Sequence, residues 1–232
     1  MLSNMAFRTR GGMRILPMEA YKTVKKGKVY TGEITEKKSR FIGSLVFTEN
    51  EAEALDFLDS VRKQHFKARH NCSAYIIGNM SGIPDKEHSS DDGEPQGTAG
   101  KPMLAVLKGE GLKNVMLVVT RYFGGVLLGT GGLVRAYTDA SKEAIKAAEL
   151  QEIRPFISVD FSFDYAKEGA VRRFLENYTV SSFETAYSDR VSFSMAVDRE
   201  EIEAFKKGLT SVLSGLSGFN EGTEVMLPAD IS

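Results

Sequence analysis

The sequence predicts an α+β fold in two domains. Three observations lead there: strand-like alternation and helical spacing interleave along the chain, the last third shows a β-α-β-β-α-β order, and charge divides unequally between the parts. Residues 1–150 hold 22 Lys and Arg against 17 Asp and Glu, and residues 151–232 hold 8 against 14. The net charge of −1 thus hides a first part at +5 and a second at −6. The first is the better anion binder, although residues 1–40 alone hold 10 basic and 3 acidic groups, so a basic tail is the plainer source of the excess. The expected division is a flexible tail over 1–17, a first domain over 18–150 and a second over 155–232, with Pro155 at the boundary. Met18 is an expected start, since patterned sequence begins only near Tyr21.

Each element follows from local pattern. Residues 28–36 and 39–48 alternate as two strands joined at Lys37-Lys38, a hairpin. Asn50 caps a helix whose apolar positions are Ala54, Leu55, Leu58 and Val61. Cys72–Gly78 reads as a short buried strand, and Asn79–Gly97 as a loop of about 20 residues, long enough to be functional or mobile. Thr98 caps a short helix reaching Lys108. The apolar run Val115–Val119 belongs to a buried strand that ends at Arg121. Gly124–Gly132 is a turn, and Gly132–Glu149 a helix. In the second part, strand Phe156–Phe163 precedes helix Lys167–Asn177. Strands Thr179–Tyr187 and Val191–Val197 turn at Ser188-Asp189, followed by helix Glu200–Leu213 and strand Phe219–Leu227. That order is the ferredoxin-like split unit.

Composition excludes several classes. No apolar run approaches the roughly 20 residues of a spanning helix. The single cysteine, Cys72, permits neither an intramolecular disulfide nor a cysteine-cage zinc site and suits the cytoplasm. No cofactor is expected.

Four segments contain groups suited to chemistry. In Ala68-Arg69-His70-Asn71-Cys72, His70 beside Cys72 offers a base and a thiol. Strand alternation, however, places Cys72 with Ala74 and Ile76, where thiols are inert. In residues 85–95, five carboxylates and His88 fall within ten positions. They read as a solvated acidic loop ordered by a partner, with His88, Asp91, Asp92 and Glu94 as an alternative hard-cation set. The spacing matches no calcium loop, and no helical His-Glu-x-x-His pair supports zinc. Gly97-Thr98-Ala99-Gly100-Lys101-Pro102 lacks the gap and ending of a nucleotide cradle and reads as a helix start. The run Arg121–Tyr137 is the most informative, because Gly124, Gly125, Gly129, Gly131 and Gly132 fall within nine residues between a strand and a helix. Such a turn exposes amides that attract an anion, with Arg121 and Arg135 as cations and Tyr122 and Phe123 as aromatic faces. A tight turn without a ligand is the alternative.

Taken together, Lys38-Ser39-Arg40-Phe41-Ile42, residues 68–72, Ser90–Pro102 and the run Arg121–Tyr137 resemble the IMPACT family, whose bacterial members are YigZ-like. Residues 151–232 resemble the small C-terminal domain of those members. The resemblance implies a first domain like domain 2 of a small-subunit ribosomal protein and a second like domain V of elongation factor G. It also implies a link to translation, because eukaryotic relatives are implicated in competing for an activator of a stress-responsive initiation-factor kinase. The expected function is therefore a non-enzymatic binding protein for RNA, the ribosome or a translation-related protein. Its expected site is Arg40, Arg69, His70, Lys101, Arg121, the five glycines and Arg135. The alternative is a hydrolase or phosphate-substrate enzyme using the acidic loop with a histidine.

Overall fold

The computed structural model describes residues 19–78, 84–215 and 218–229. The expected tail, the Met18 start and part of the expected 79–97 loop lie outside them. The chain divides into two compact units, residues 21–151 and 152–232, Glu19 and Ala20 counting with the second.

The first unit begins with β1 (Tyr21–Val24), β2 (Val29–Glu36) and β3 (Ser39–Phe47). Lys37 and Lys38 both take positive φ, 45° and 67°, as a two-residue hairpin turn matched to strand twist requires. Helix α1 (Glu51–Gln64) starts where the Asn50 side chain accepts the Glu53 amide at 2.9 Å, while the Glu53 carboxylate accepts the Glu49 amide. Ala54, Leu58 and Val61 form its buried stripe; Leu55, expected in that stripe, is instead exposed. Strands β4 (His70–Ile77) and β5 (Lys86–Ser90) pair antiparallel, so the expected long loop contains an edge strand. Helix α2 (Gly100–Gly109), strand β6 (Val115–Tyr122) and helix α3 (Thr130–Lys146) complete the unit.

The main sheet is antiparallel in the order β2-β3-β6-β4-β5. Helices α2 and α3 cover one face, where Phe41, Leu117, Val119, Met103, Leu107 and Tyr137 share a core. Helix α1 packs on the other face against Tyr75, Met116 and Val118. The approach of α3 depends on the cross-strand pair Gly32 and Gly43. A Cβ there would lie 2.2 Å from the Glu143 carbonyl carbon or 2.6 Å from the Ala140 oxygen.

The second unit follows the expected β-α-β-β-α-β order: β7 (Leu150–Phe163), α4 (Glu168–Leu175), β8 (Val180–Tyr187), β9 (Val191–Asp198), α5 (Ile202–Leu213) and β10 (Asn220–Ala229). Its strands pair antiparallel as β10-β7-β9-β8. Alternate residues of β7 and β9, among them Val159, Phe161 and Phe193, meet Val171, Phe205 and Leu209 of the two helices. Pro155 lies inside β7 rather than at a boundary. It is opposite Met226 of β10, and pairing with β9 begins one residue later at Phe156, so the missing amide interrupts no β9 ladder. Among the described residues no helix is long and apolar enough to cross a membrane.

Candidate functional site

Strand direction brings the singled-out segments to one end of the first unit's sheet. Strand β2 leaves there and β3 enters; β6 ends there with Tyr122 opposite Arg40; β4 begins there with His70 opposite Arg121. Helix α1 arrives at the same end, where His65 Nδ1 lies 3.0 Å from the Tyr122 hydroxyl. Helices α2 and α3 both start from it. The hairpin tip, the His70 segment, the acidic loop and the glycine turn, far apart in sequence, are thus neighbours.

Under this end lies a buried polar cluster. Arg121 Nη1 donates to Glu94 Oε1 at 2.7 Å, and the Tyr137 hydroxyl donates to the same oxygen at 2.8 Å. Only 7% of the Arg121 side chain and 3% of the Glu94 side chain are exposed. The guanidinium also lies 5.4 Å from the Phe41 ring centre and 5.6 Å from that of Phe123. This corrects two expectations: Glu94 is not in a solvated loop, and Arg121 is a buried partner of Glu94 rather than a surface cation. The Cys72 thiol is 2.9 Å from the Asp91 carbonyl oxygen and 3.3 Å from the Tyr137 hydroxyl. Burial pushes its pKa up to about 12, against a smaller opposing effect of the Tyr137 hydrogen bond. A thiol held that high is a structural group, not a nucleophile.

The rest of the acidic loop is a clasp. Asp91 Oδ1 accepts the Ala99 and Gly100 amides at 3.0 and 2.8 Å, and Oδ2 accepts the Gly97 amide at 2.7 Å. Asp91, not Thr98, therefore caps α2; the Thr98 hydroxyl donates to the Pro95 carbonyl instead. Asp92 accepts the Asn71 amide at 2.7 Å and pairs with Arg62 at 2.9 Å, and its carbonyl oxygen is 2.9 Å from His70 Nδ1. His88 stands on β5, stacked on Tyr75 at 5.1 Å. The alternative cation set is thus dispersed: its carboxylates hold amides and cations of the fold. Among the described residues no group of three or more His, Cys, Asp or Glu is placed to hold a metal ion.

What remains at the surface is mostly cationic and apolar, with Glu36 at the hairpin tip as an exposed acid beside it. Arg69, Lys101 and Arg135 are exposed and, among the described residues, have no carboxylate within 4.0 Å, and the same holds for Lys37 and Lys38 at the hairpin tip. Arg40 is exposed but forked onto Glu33 at 2.5 and 2.6 Å, which holds the Glu33 carboxyl below its ordinary range. Phe66, Phe123 and Leu127 are exposed by 76%, 54% and 82%. Phe66, His65 and Lys37 were not among the expected site residues, nor were Lys38 and Leu127, although those two lie in stretches that carry the family resemblance. A lone aromatic in the polar stretch just past a helix end was the available signal for Phe66.

The glycines differ in their reasons. Gly125 and Gly129 have φ of 85° and 72°. At Gly124 a Cβ would sit 2.0 Å from the Lys38 carbonyl carbon, and its amide donates to the Ser39 hydroxyl. At Gly132 a Cβ would press on Leu128 at 3.0 Å. Gly131 has neither a positive φ nor a neighbour within 4 Å of a Cβ, so nothing within the described fold excludes a side chain there. It lies in the first turn of α3, which begins at Thr130 and has no side-chain cap.

Fold and site together define a two-unit α+β protein with a glycine-turn sheet end over a buried Arg-Glu-Tyr cluster. A family model described as the Impact N-terminal domain matches residues 37–145, and one described as a domain of unknown function, DUF1949, matches 161–216. The chain belongs to the IMPACT family. It is 40% identical over 205 residues to IMPACT family member YvyE of Bacillus subtilis, covering 88% of this chain and 92% of the relative. It is 37% identical to IMPACT family member YigZ of Escherichia coli, over 77% of this chain and 87% of the relative. A crystal structure described as that of a hypothetical protein matches at 32% identity and a TM-score of 0.55, covering 93% of this chain and all of the other.

Proposed function

We propose that this protein is a non-enzymatic, cytoplasmic binding protein of the translation apparatus that holds single-stranded RNA at the glycine-turn end of its first unit. The observation behind this reading is the gathering at that end of Arg69, Lys101, Arg135, Lys37 and Lys38 without carboxylate partners among the described residues, beside exposed Phe66 and Phe123. Unpaired cations follow a phosphate backbone, aromatic faces stack on bases, and the uncapped amides of α3 favour an anion. The family's link to translation supports an RNA of that apparatus as the partner.

Anisotropy of a labelled oligouridylate with the full chain, titrated across salt, tests it. Affinity is expected to fall steeply with salt, and Arg69→Ala and Arg135→Ala are each expected to flatten the log–log slope by about 0.7. Affinity that ignores salt, or slopes unchanged in both variants, would count against this surface. Arg121→Ala is unsuited to the test because it strands Glu94.

Gly131→Ala separates ligand from fold. Alanine in a helix turn with open space is expected to raise stability by about 0.5–1 kcal/mol. The same methyl stands where a phosphate would approach the α3 amides, so RNA affinity is expected to fall. Thermal melting and anisotropy on one preparation check both, and a more stable variant with unchanged affinity would exclude the α3 amides from the contact.

A further inference from the structure

Helix α1 covers only part of its face of the sheet. Its buried stripe packs on residues of β4 and β6, and the outer face of β2 and β3 beside it is left as a cleft of about 560 Å³. Thr31, Ile42 and Ser44 line its floor, and Phe57, Ser60 and Gln64 its helical wall. Glu33, Arg40 and His65 also line it and place it at the sheet end described above.

We infer that this cleft holds one base of the bound RNA strand, with the adjoining phosphate beside Arg40 and His65. The inference rests on the RNA reading and adds a site that reading does not use. The lining has the mixed character of a nucleoside pocket. The half-buried Phe57 and Val29, 54% exposed, offer apolar surface to a ring, while Thr31, Ser60 and Gln64 offer neutral polar groups to its edge. No lysine is among the lining residues, so the cleft suits a single nucleotide rather than a length of polyanion.

The charged groups are arranged to serve a phosphate. Arg40 gives Nε and Nη2 to Glu33, leaving Nη1 outside that fork. The pair is exposed, so a change of partner costs little. Burial, and then the charge of Arg40, hold the His65 pKa below its ordinary range. In the neutral tautomer whose Nδ1 accepts the Tyr122 O–H hydrogen bond, the ring carries its N–H at Nε2, where a phosphate oxygen can accept it. An extended peptide is a poorer occupant. The floor over β3 offers a face and not an edge, because β3 is paired on both sides by β2 and β6, and an extended peptide would have to pair outside it, at the outer edge of β2.

Two variants fill the cleft at exposed positions, Thr31→Trp from the floor on β2 and Ser60→Trp from the helical wall on α1, each checked by thermal melting. Anisotropy with a labelled ten-residue oligouridylate is expected to show about tenfold weaker binding for both, with the salt slope unchanged. An abasic strand of the same length is expected to bind wild type and both variants alike. Oligouridylate bound equally by wild type and both variants would overturn the base site and leave the surface reading standing. Failure of wild type to bind either strand would overturn both.

Discussion

Glu94→Ala is expected to destabilise the first unit by about 3–5 kcal/mol, because it leaves the Arg121 guanidinium buried and unpaired. The pair is almost wholly withdrawn from water, at 7% and 3% side-chain exposure, so removing either member strands the other. The Tyr137 hydroxyl loses its acceptor in the same substitution. Burial, together with Cys72 and Glu94, raises the pKa of that tyrosine, so it stays a neutral donor and cannot compensate. Because the units need not unfold together, hydrogen exchange of β6 amides reports the first unit more directly than a global melt. Exchange there is expected to accelerate by about two to four orders of magnitude, the factor that corresponds to the energy above. The triple variant Glu94→Leu, Arg121→Met and Tyr137→Phe is expected to recover most of the loss, because it removes both charges and the stranded hydroxyl and fills the space. A single Glu94→Ala costing less than about 1 kcal/mol would show that the cluster is solvated in solution.

That cluster also marks the limit of what the residues revealed before folding. The second unit was legible almost entirely, because alternation in β7 and β9 and helical spacing in α4 and α5 are local signals. In the first unit the Lys37-Lys38 turn and the Asn50 cap were legible for the same reason. The acidic loop was not. Asp91 finds its amides six to nine residues on, Asp92 reaches back 21 residues to Asn71, and Glu94 reaches forward 27 to Arg121. A carboxylate's partner across such distances depends on sheet order, which periodicity does not encode. An Asp-rich stretch therefore looks the same whether it is solvated or closed onto the fold. Arg121 was misplaced by the same route: the glycine turn beside it suggested an anion site, while the acid that buries it lay in another segment. The α1 cleft was invisible in sequence because it is a gap left by an incompletely covered sheet, and no residue pattern reports uncovered area.

Asp91→Ala is expected to cost about 2–4 kcal/mol, since it removes the acceptor of three amides at once. Ala99 and Gly100 are buried, so their amides cannot exchange the lost carboxylate for water without opening the start of α2. Gly100 is pinned further, because a side chain there would strike the Ser90 backbone at 2.7 Å, so this turn has little room to rearrange. The charge of Asp91 adds a pH dependence of known sign. Burial alone would raise its pKa, but the amides of Gly97, Gly100 and Ala99, with Lys101 beyond them, outweigh it and hold the carboxyl below its ordinary range. A carboxyl whose folded pKa is depressed contributes stability fully above its unfolded value, about 3.9, and loses it as pH falls through the folded value. Asp91→Asn keeps one side-chain oxygen as an acceptor but cannot titrate. The stability gap between wild type and Asp91→Asn is therefore expected to be largest near neutral pH and to narrow as pH falls through about 4. Urea unfolding followed by far-ultraviolet circular dichroism at several pH values measures that gap. A gap constant between about pH 6 and pH 3 would mean that the three amides bind Asp91 for its shape rather than its charge.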